Sequence, residues 1–164
     1  RSSSADVRAA QRAHMEGVYG VVNRADAVYE ELKRMRRADD AVSDRMRHAK
    51  RSLAEGDTTY KPIKTLADSL DGEWTALDER YFTPEDFNGY DAVVRIQDRL
   101  WHAMSYADGG MAVPGSNAVD ALKALERAVV AAEQHLERIR GGVFADWRTA
   151  VESTDWPVFG EFEE

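Results

Sequence analysis

The sequence predicts an all-α protein, an elongated antiparallel helical bundle led by one very long N-terminal helix. Three observations carry this prediction. Apolar residues recur at three- and four-residue spacing along most of the 164-residue chain, which is the period of a helix. Only 4 prolines and 11 glycines are present, and most of them lie between the periodic stretches. No stretch of useful length alternates apolar and polar residues as a half-buried strand does.

The first 55 residues carry the strongest periodicity, a heptad pattern without a slip. It predicts one helix over residues 5–54, roughly 75 Å long at 1.5 Å per residue. The alternative is two helices in matching register that break near Asp39-Asp40; we favour the single helix. The seam consists of Gln11, Val18, Ala25, Leu32, Asp39, Met46 and Leu53 at position a, and Val7, His14, Val21, Val28, Met35, Val42 and Ala49 at position d.

Three more helices and a short fifth segment follow. The second helix begins near Pro62 and stops at Phe82-Thr83-Pro84, and the third runs from about Tyr90 to Ala107. The fourth begins at Ser116 or Asn117 and ends or kinks at Gly141-Gly142. The predicted inward residues are Ile63, Leu66, Leu70, Trp74, Leu77 and Tyr81; Val93, Ile96, Leu100 and Met104; and Val119, Leu122, Leu125, Val129, Leu136 and Ile139, with Trp101 also assigned to the core.

The chain length suits one domain. We interpret residues 1–154 as a single helical-bundle domain and residues 155–164 as an aromatic and acidic tail. Trp156, Phe159 and Phe162 alternate with acidic residues in this tail, which suggests that it either folds back onto the bundle or docks to a partner. These three aromatic residues are candidates for a partner interface.

The charge is unevenly distributed along the chain. The net charge is -8, yet residues 1–56 hold 12 Lys and Arg against 9 Asp and Glu. A basic run spans residues 33–51, and its Arg34, Arg36 and Arg37 complete the candidate partner interface. Binding to nucleic acid or another anionic surface is one interpretation of the run. A solvated helical face is favoured, because Asp39, Asp40 and Asp44 interrupt it and phosphates would repel the acidic molecule. We therefore expect no nucleic-acid partner.

The sequence offers little chemistry. It has no Cys, no Glu-x-x-His, no zinc-protease motif, no nucleophile elbow and no phosphate- or dinucleotide-binding glycine loop. Asp44 with His48 and Asp98 with His102 share helix faces, and we interpret them as ordinary surface pairs. His14, at a d position, is expected to be a satisfied interface histidine. The prediction is a non-enzyme with no metal and no cofactor.

From Tyr60 onward the chain resembles the C-terminal helical region of large secreted bacterial proteins that carry sortilin-like or BNR-type β-propellers, often described as glycosyl hydrolases. The resemblance lies in Ile63–Asp78, Val94–Ala107, the Pro114-Gly115-Ser116 helix entry, Ala118–Ile139 and Trp156-Pro157-Val158-Phe159. It implies an exported helical module without catalytic residues, since any family activity belongs to the propellers.

These observations lead to an expected function and location. The chain starts at Arg1 and has no apolar stretch long enough to span a membrane, so we expect a processed, periplasmic and at most membrane-peripheral protein. The expected role is a scaffold or interaction module with protein partners, an extrinsic subunit that braces a membrane complex such as a photosynthetic reaction-centre or light-harvesting assembly. The alternatives are an accessory domain of a propeller-type hydrolase and an anionic-surface or nucleic-acid binder.

Overall fold

The computed structural model describes residues 4–50, 55–83, 93–106 and 112–156. Within these ranges the chain is 84% helical and contains no strand, which confirms the all-α prediction. The helices are α1 (Ser4–Ala49), α2 (Lys61–Tyr81), α3 (Ile96–Ser105), α4 (Ser116–Gly141) and α5 (Val143–Glu152).

Helix α1 is a single element of 46 residues. It passes through Asp39 and Asp40 without interruption, so the single long helix is confirmed and the alternative break is wrong. Every seam residue that the structure describes is buried or half-buried, including the polar Gln11, His14 and Asp39. Leu53, the last predicted seam residue, lies outside the described residues. An unbroken apolar face is what keeps so long a helix associated with its neighbours, because propensity alone stabilises helices weakly.

The chain divides into two compact units, whose boundaries fall inside α1, α2 and α4. The first unit contains residues 1–29 and 76–135, and the second contains residues 30–75 and 136–164. The prediction of one domain over residues 1–154 with a separate tail stays a prediction.

In the first unit, α1 and α4 run parallel. Gln11 Nε2 donates to the carbonyl oxygen of Ala112 at 3.2 Å, and Arg24 further along α1 pairs with Glu133 further along α4. Between these contacts, a Cβ on Gly17 would stand 3.0 Å from Cδ2 of Leu122. The glycine therefore allows the close approach of α4 at this level.

In the second unit, α1 runs antiparallel to α2. The carboxyl group of Asp39 lies within electrostatic range of Asp68 and Asp71. Six residues later on α1, Arg45 lies over the ring of Trp156, which stacks on Tyr60 at the start of α2. The predicted inward face of α2 is confirmed along both units: Leu66 is half-buried and the other five residues are buried.

Helix α3 differs most from the prediction. It begins at Ile96 rather than near Tyr90, and residues 90–92 and 107 lie outside the described residues. Trp101, assigned to the core, is 74% exposed, and Val93 and Met104 are exposed too. The buried face consists of Ile96 and Ala103, with Leu100 half-buried, so the small Ala103 takes the place predicted for Met104.

A similar correction applies at the start of α4. Val119 is exposed, whereas the neighbouring Ala118 is buried. The remaining predicted inward residues of α4 are buried, apart from the half-buried Leu122. Helix α4 ends at Gly141, as predicted, and Gly142 separates it from α5.

Candidate interaction site

The first unit exposes an unusual set of large apolar side chains on and beside α3. We call this set the α3 patch. Trp101 dominates it, because three quarters of that side chain faces solvent. Single exposed apolar residues are normal on protein surfaces, but several on one short element are typical of an interaction surface. The α3 patch consists of Val93, Val94, Trp101, Met104 and Tyr106.

Arg95 fixes the start of α3. Its backbone N–H donates to Oδ2 of Asp98 at 2.8 Å, which is the carboxylate half of a capping box at the N-terminus of the helix. Its buried guanidinium group donates through Nε to the carbonyl oxygen of Glu79 at 3.1 Å. Glu79 lies in the last turn of α2, where carbonyl groups have no partner within the helix. One arginine thus joins the end of α2 to the start of α3.

His14 fixes the other end of α3. The ring of His14 is buried, and its Nε2 lies 3.1 Å from the carbonyl oxygen of Ala103. A carbonyl oxygen only accepts hydrogen bonds, so Nε2 carries the proton and donates it. The expectation of a satisfied interface histidine agrees with this geometry. Because both ends of α3 are held from its inner side, the α3 patch faces outward on a supported helix.

A groove lies between α3 and α4 on the first unit. It comprises two adjoining cavities of about 330 and about 440 Å³ that share Val94, Arg99 and Ala124. Its walls include Val93, Val94 and Tyr106 of the α3 patch. Its floor is a row of alanines at helical spacing along α4, which are Ala121, Ala124, Ala128 and Ala131.

The groove is lined with positive charge. Arg80, Arg99 and Arg127 all line it, and none of the three forms an ion pair with any residue in the described ranges. Among the described residues that line it, Asp120 is the one carboxylate. The contrast with Arg24 is clear: two of its nitrogens lie 2.8 and 2.6 Å from the carboxylate of Glu133. That pairing raises the pKa of Arg24 and lowers the pKa of Glu133.

The residues predicted as a partner interface do not come together with the α3 patch within one unit. Trp156 belongs to the second unit, where it is half-buried. Its ring centroid lies 5.1 Å from that of Tyr60. Its Nε1 donates a hydrogen bond to the carbonyl oxygen of Val151 at 2.9 Å. Phe159 and Phe162 lie outside the described residues.

The three arginines of the predicted interface lie on α1. Arg34 and Arg37 are exposed and Arg36 is half-buried. Arg34 pairs with Glu31 on the same helix face, and within the same basic run Lys33 pairs with Glu30 at 2.8 Å. Much of the positive charge of this run is therefore matched locally, as in a solvated helical face.

The described residues hold no group of three or more His, Asp or Glu side chains that could bind a metal ion. The aspartates of the two Asp–His pairs predicted from the sequence have other partners: Asp98 caps α3, and Asp44 forms a 2.9 Å ion pair with Arg47.

In the described part of the chain, no helix combines the length and apolar character that a membrane span needs.

The sequence interpretation missed the α3 patch and the groove. One signal was available: Trp101 and Tyr106 fall beside the predicted apolar stripe of α3 rather than on it. The alanine row of α4 was also visible at helical spacing, but alanine is the strongest helix former and its presence in a helix is ordinary.

Comparison with known proteins adds no relative. No family model matches the chain. No significant match was found among curated proteins, and none was found among solved structures. The class of this protein is therefore assigned from its fold and its site. It is an all-α protein with exposed apolar residues on and beside a short, well-anchored helix.

Proposed function

We propose that this protein is a non-catalytic interaction module that binds a partner protein through the α3 patch. The observation that carries the proposal is the 74% exposure of Trp101 on a helix anchored at both ends by Arg95 and His14. Tryptophan is enriched among the residues that dominate binding energy at protein interfaces. Burying a large apolar side chain contributes about 1.5–3 kcal/mol.

The finer part of the proposal is that the module is an exported, periplasmic, extrinsic subunit that braces a membrane complex, with photosynthetic assemblies as one example. Its support is the resemblance to helical regions of secreted propeller proteins. An apolar surface on one short, anchored helix suits such a role, because a supported surface loses little conformational entropy on docking.

Site-specific photo-crosslinking in the source cells tests the proposal. A photoreactive phenylalanine analogue replaces Trp101, and the matched control carries the same analogue at Lys123, an exposed position on α4. We expect one dominant protein adduct from position 101 that position 123 does not give. Equal labelling from both positions, or none from position 101, would contradict the proposal.

Fractionation addresses the finer part separately. If the module is extrinsic to a periplasmic membrane complex, the adduct should be found in membranes and be protected from protease added to intact cells. An adduct with a cytosolic protein would contradict the exported location but not the interaction itself.

A further inference from the structure

We propose that the groove between α3 and α4 binds an acidic amphipathic helix of a partner protein. The inference rests on the proposed interaction function and deepens it by naming the chemistry of the partner. Two independent features of the described residues carry it, which are the shape of the groove floor and the charge along its walls.

The groove floor suits a helix. The four floor alanines recur at spacings of three and four residues, so they form one continuous face of α4. Helix axes pack 8–10 Å apart depending on the side chains at the contact, and small residues allow the shorter distances. From Asn117 to Ala131 the lining covers about 21 Å of helix axis. That length matches about four turns of a bound helix.

The walls define the charge of the bound helix. Arg80, Arg99 and Arg127 line the groove and form no ion pair within the described ranges, where Asp120 is the one lining carboxylate. Elsewhere in the first unit, Arg24 is matched by Glu133 and Glu126. In the described part of a chain whose net charge is -8, three arginines around one groove thus form no ion pair. A partner helix with small or apolar residues on one face and Glu or Asp along its edges satisfies both features.

Nucleic acid is the competing polyanion, and the observations favour the helix. A nucleic-acid groove would offer aromatic or polar side chains to bases along its floor. Here the floor is alanine, which offers neither stacking nor hydrogen bonds.

Fluorescence anisotropy with two designed peptides tests the proposal. Both are labelled 18-residue amphipathic helices with an Ala/Leu stripe; one has Glu along the edges of the stripe and the other has Lys at the same positions. We expect the wild-type protein to bind the Glu peptide at least tenfold more tightly than the Lys peptide at low salt. Equal affinity for both peptides, within twofold, would overturn the proposal.

Charge reversal shows whether the groove itself is responsible. The double variant Arg99→Glu/Arg127→Glu should reverse the preference, so that the Lys peptide binds more tightly, and a gain of binding cannot come from misfolding. The matched control, Arg12→Glu/Arg138→Glu, changes the net charge by the same amount at exposed positions outside the groove lining. It should keep the wild-type preference, and an equal reversal in the control would overturn the proposal.

A steric variant tests the groove floor. Ala128→Trp should weaken binding of the Glu peptide more than tenfold, whereas Lys123→Trp on the exposed side of α4 should leave the affinity within twofold of the wild-type value.

Two other occupants of the groove are tested with the same proteins. Tighter binding of a 12-nucleotide single strand than of the Glu peptide would overturn the helix proposal in favour of nucleic acid. Self-association of the wild-type protein that Ala128→Trp abolishes would overturn it in favour of a second copy.

The two proposals fail separately. If Trp101 crosslinks a protein but the designed peptides do not discriminate by charge, the interaction module stands and the acidic helix is wrong. If position 101 gives no specific adduct, the interaction module itself is contradicted, whatever the peptides do.

Discussion

The Nε2–H group of His14 on α1 donates a hydrogen bond to the carbonyl oxygen of Ala103 in the last turn of α3, 89 positions later in the sequence. That carbonyl belongs to a helix end, where no partner within the helix is available. The bond is buried, so it links the 46-residue helix α1 to the ten-residue helix α3 in place of a contact with water.

Replacing His14 should therefore loosen α3. We expect His14→Leu to lower the free energy of unfolding by about 1–3 kcal/mol, because the buried carbonyl of Ala103 loses its donor. Urea denaturation followed by circular dichroism measures the change. His48→Leu is the control, since His48 is exposed on the same helix and should change stability by less than about 0.5 kcal/mol. Equal effects of the two substitutions would contradict the role assigned to His14.

Arg95 should be the second determinant of α3. Arg95→Ala removes a buried, charged donor from the carbonyl of Glu79, so we expect a loss of about 1.5–3 kcal/mol in the free energy of unfolding. Arg8→Ala, at an exposed position of α1, is the matched control and should be nearly neutral. Hydrogen exchange gives the sharper readout, because the amides of α3 should lose protection in the Arg95 variant before those of α1 do.

These two anchors explain why the sequence predicted α1 well and α3 poorly. The α1 seam follows from local spacing alone, and over 46 residues few alternative faces fit the same apolar residues. In the ten residues of α3, a stripe through Met104 and one through Ala103 are nearly equivalent in sequence. Contacts with residues distant in sequence select the second, because His14 binds Ala103 and the N-cap Arg95 binds Glu79.

The candidate site was less predictable than the fold, for a related reason. A groove exists only where α3 and α4 lie side by side, and no local pattern states that Arg99 and Arg127 line the same cavity. The start of α3 was also hidden, because Arg95 occupies the N-cap where Ser, Thr, Asp or Asn would have been a recognisable signal.

Asp39 should make the protein less stable at neutral pH than it would be with a neutral side chain. Burial raises the pKa of this carboxyl group, and the charges of Asp40, Asp71 and Asp68 add to that effect. The indole N–H of Trp147 acts in the opposite direction, but neither it nor Oδ1 of Asp39 completes a hydrogen bond of normal geometry in the described residues. With the folded pKa above the unfolded one, ionisation costs stability once the pH rises above the unfolded value.

We therefore expect Asp39→Asn to raise the melting temperature by a few degrees at pH 7.5. The gain should shrink as the pH falls, and it should vanish below the unfolded pKa of the carboxyl group, where the wild-type side chain is neutral in both states. Thermal melts at several pH values measure this, with Asp40→Asn as the exposed control. A gain that is independent of pH would exclude the ionisation of Asp39 as its cause.

The pair of Arg24 and Glu133 should behave in the opposite way with pH. Its hydrogen bonds lower the pKa of Glu133, so its contribution is present above the unfolded pKa and is lost as the pH falls through the folded one. Because both side chains are more than a third exposed, we expect Glu133→Gln to cost only about 0.5–1 kcal/mol at pH 7. Denaturant melts at pH 7 and pH 3 measure it, and the cost should disappear at the lower pH.

Glu126 provides the internal comparison for this pair. Its carboxylate lies 3.5 Å from the nearest nitrogen of Arg24 and is more exposed than that of Glu133. Glu126→Gln should therefore cost less than Glu133→Gln. An equal or larger cost would contradict the dominant role of the bidentate contact between Arg24 and Glu133.

The four tryptophans should divide sharply between folding and binding. Trp156 stacks on Tyr60, lies beneath the guanidinium group of Arg45 at 4.6 Å and donates a hydrogen bond to Val151. We expect Trp156→Ala to lower the free energy of unfolding by about 1–2 kcal/mol, through lost stacking, cation–π and hydrogen-bond energy. Trp101→Ala is the matched control and should change the free energy of unfolding by less than about 0.5 kcal/mol, because that side chain is largely in water.

Acrylamide quenching offers an independent check of the exposure of Trp101. Trp101→Phe should remove most of the quenchable fluorescence, whereas Trp74→Phe should not, since Trp74 is buried. If Trp101→Ala destabilised the protein as much as Trp156→Ala, the outward position of Trp101, and with it the α3 patch, would be wrong.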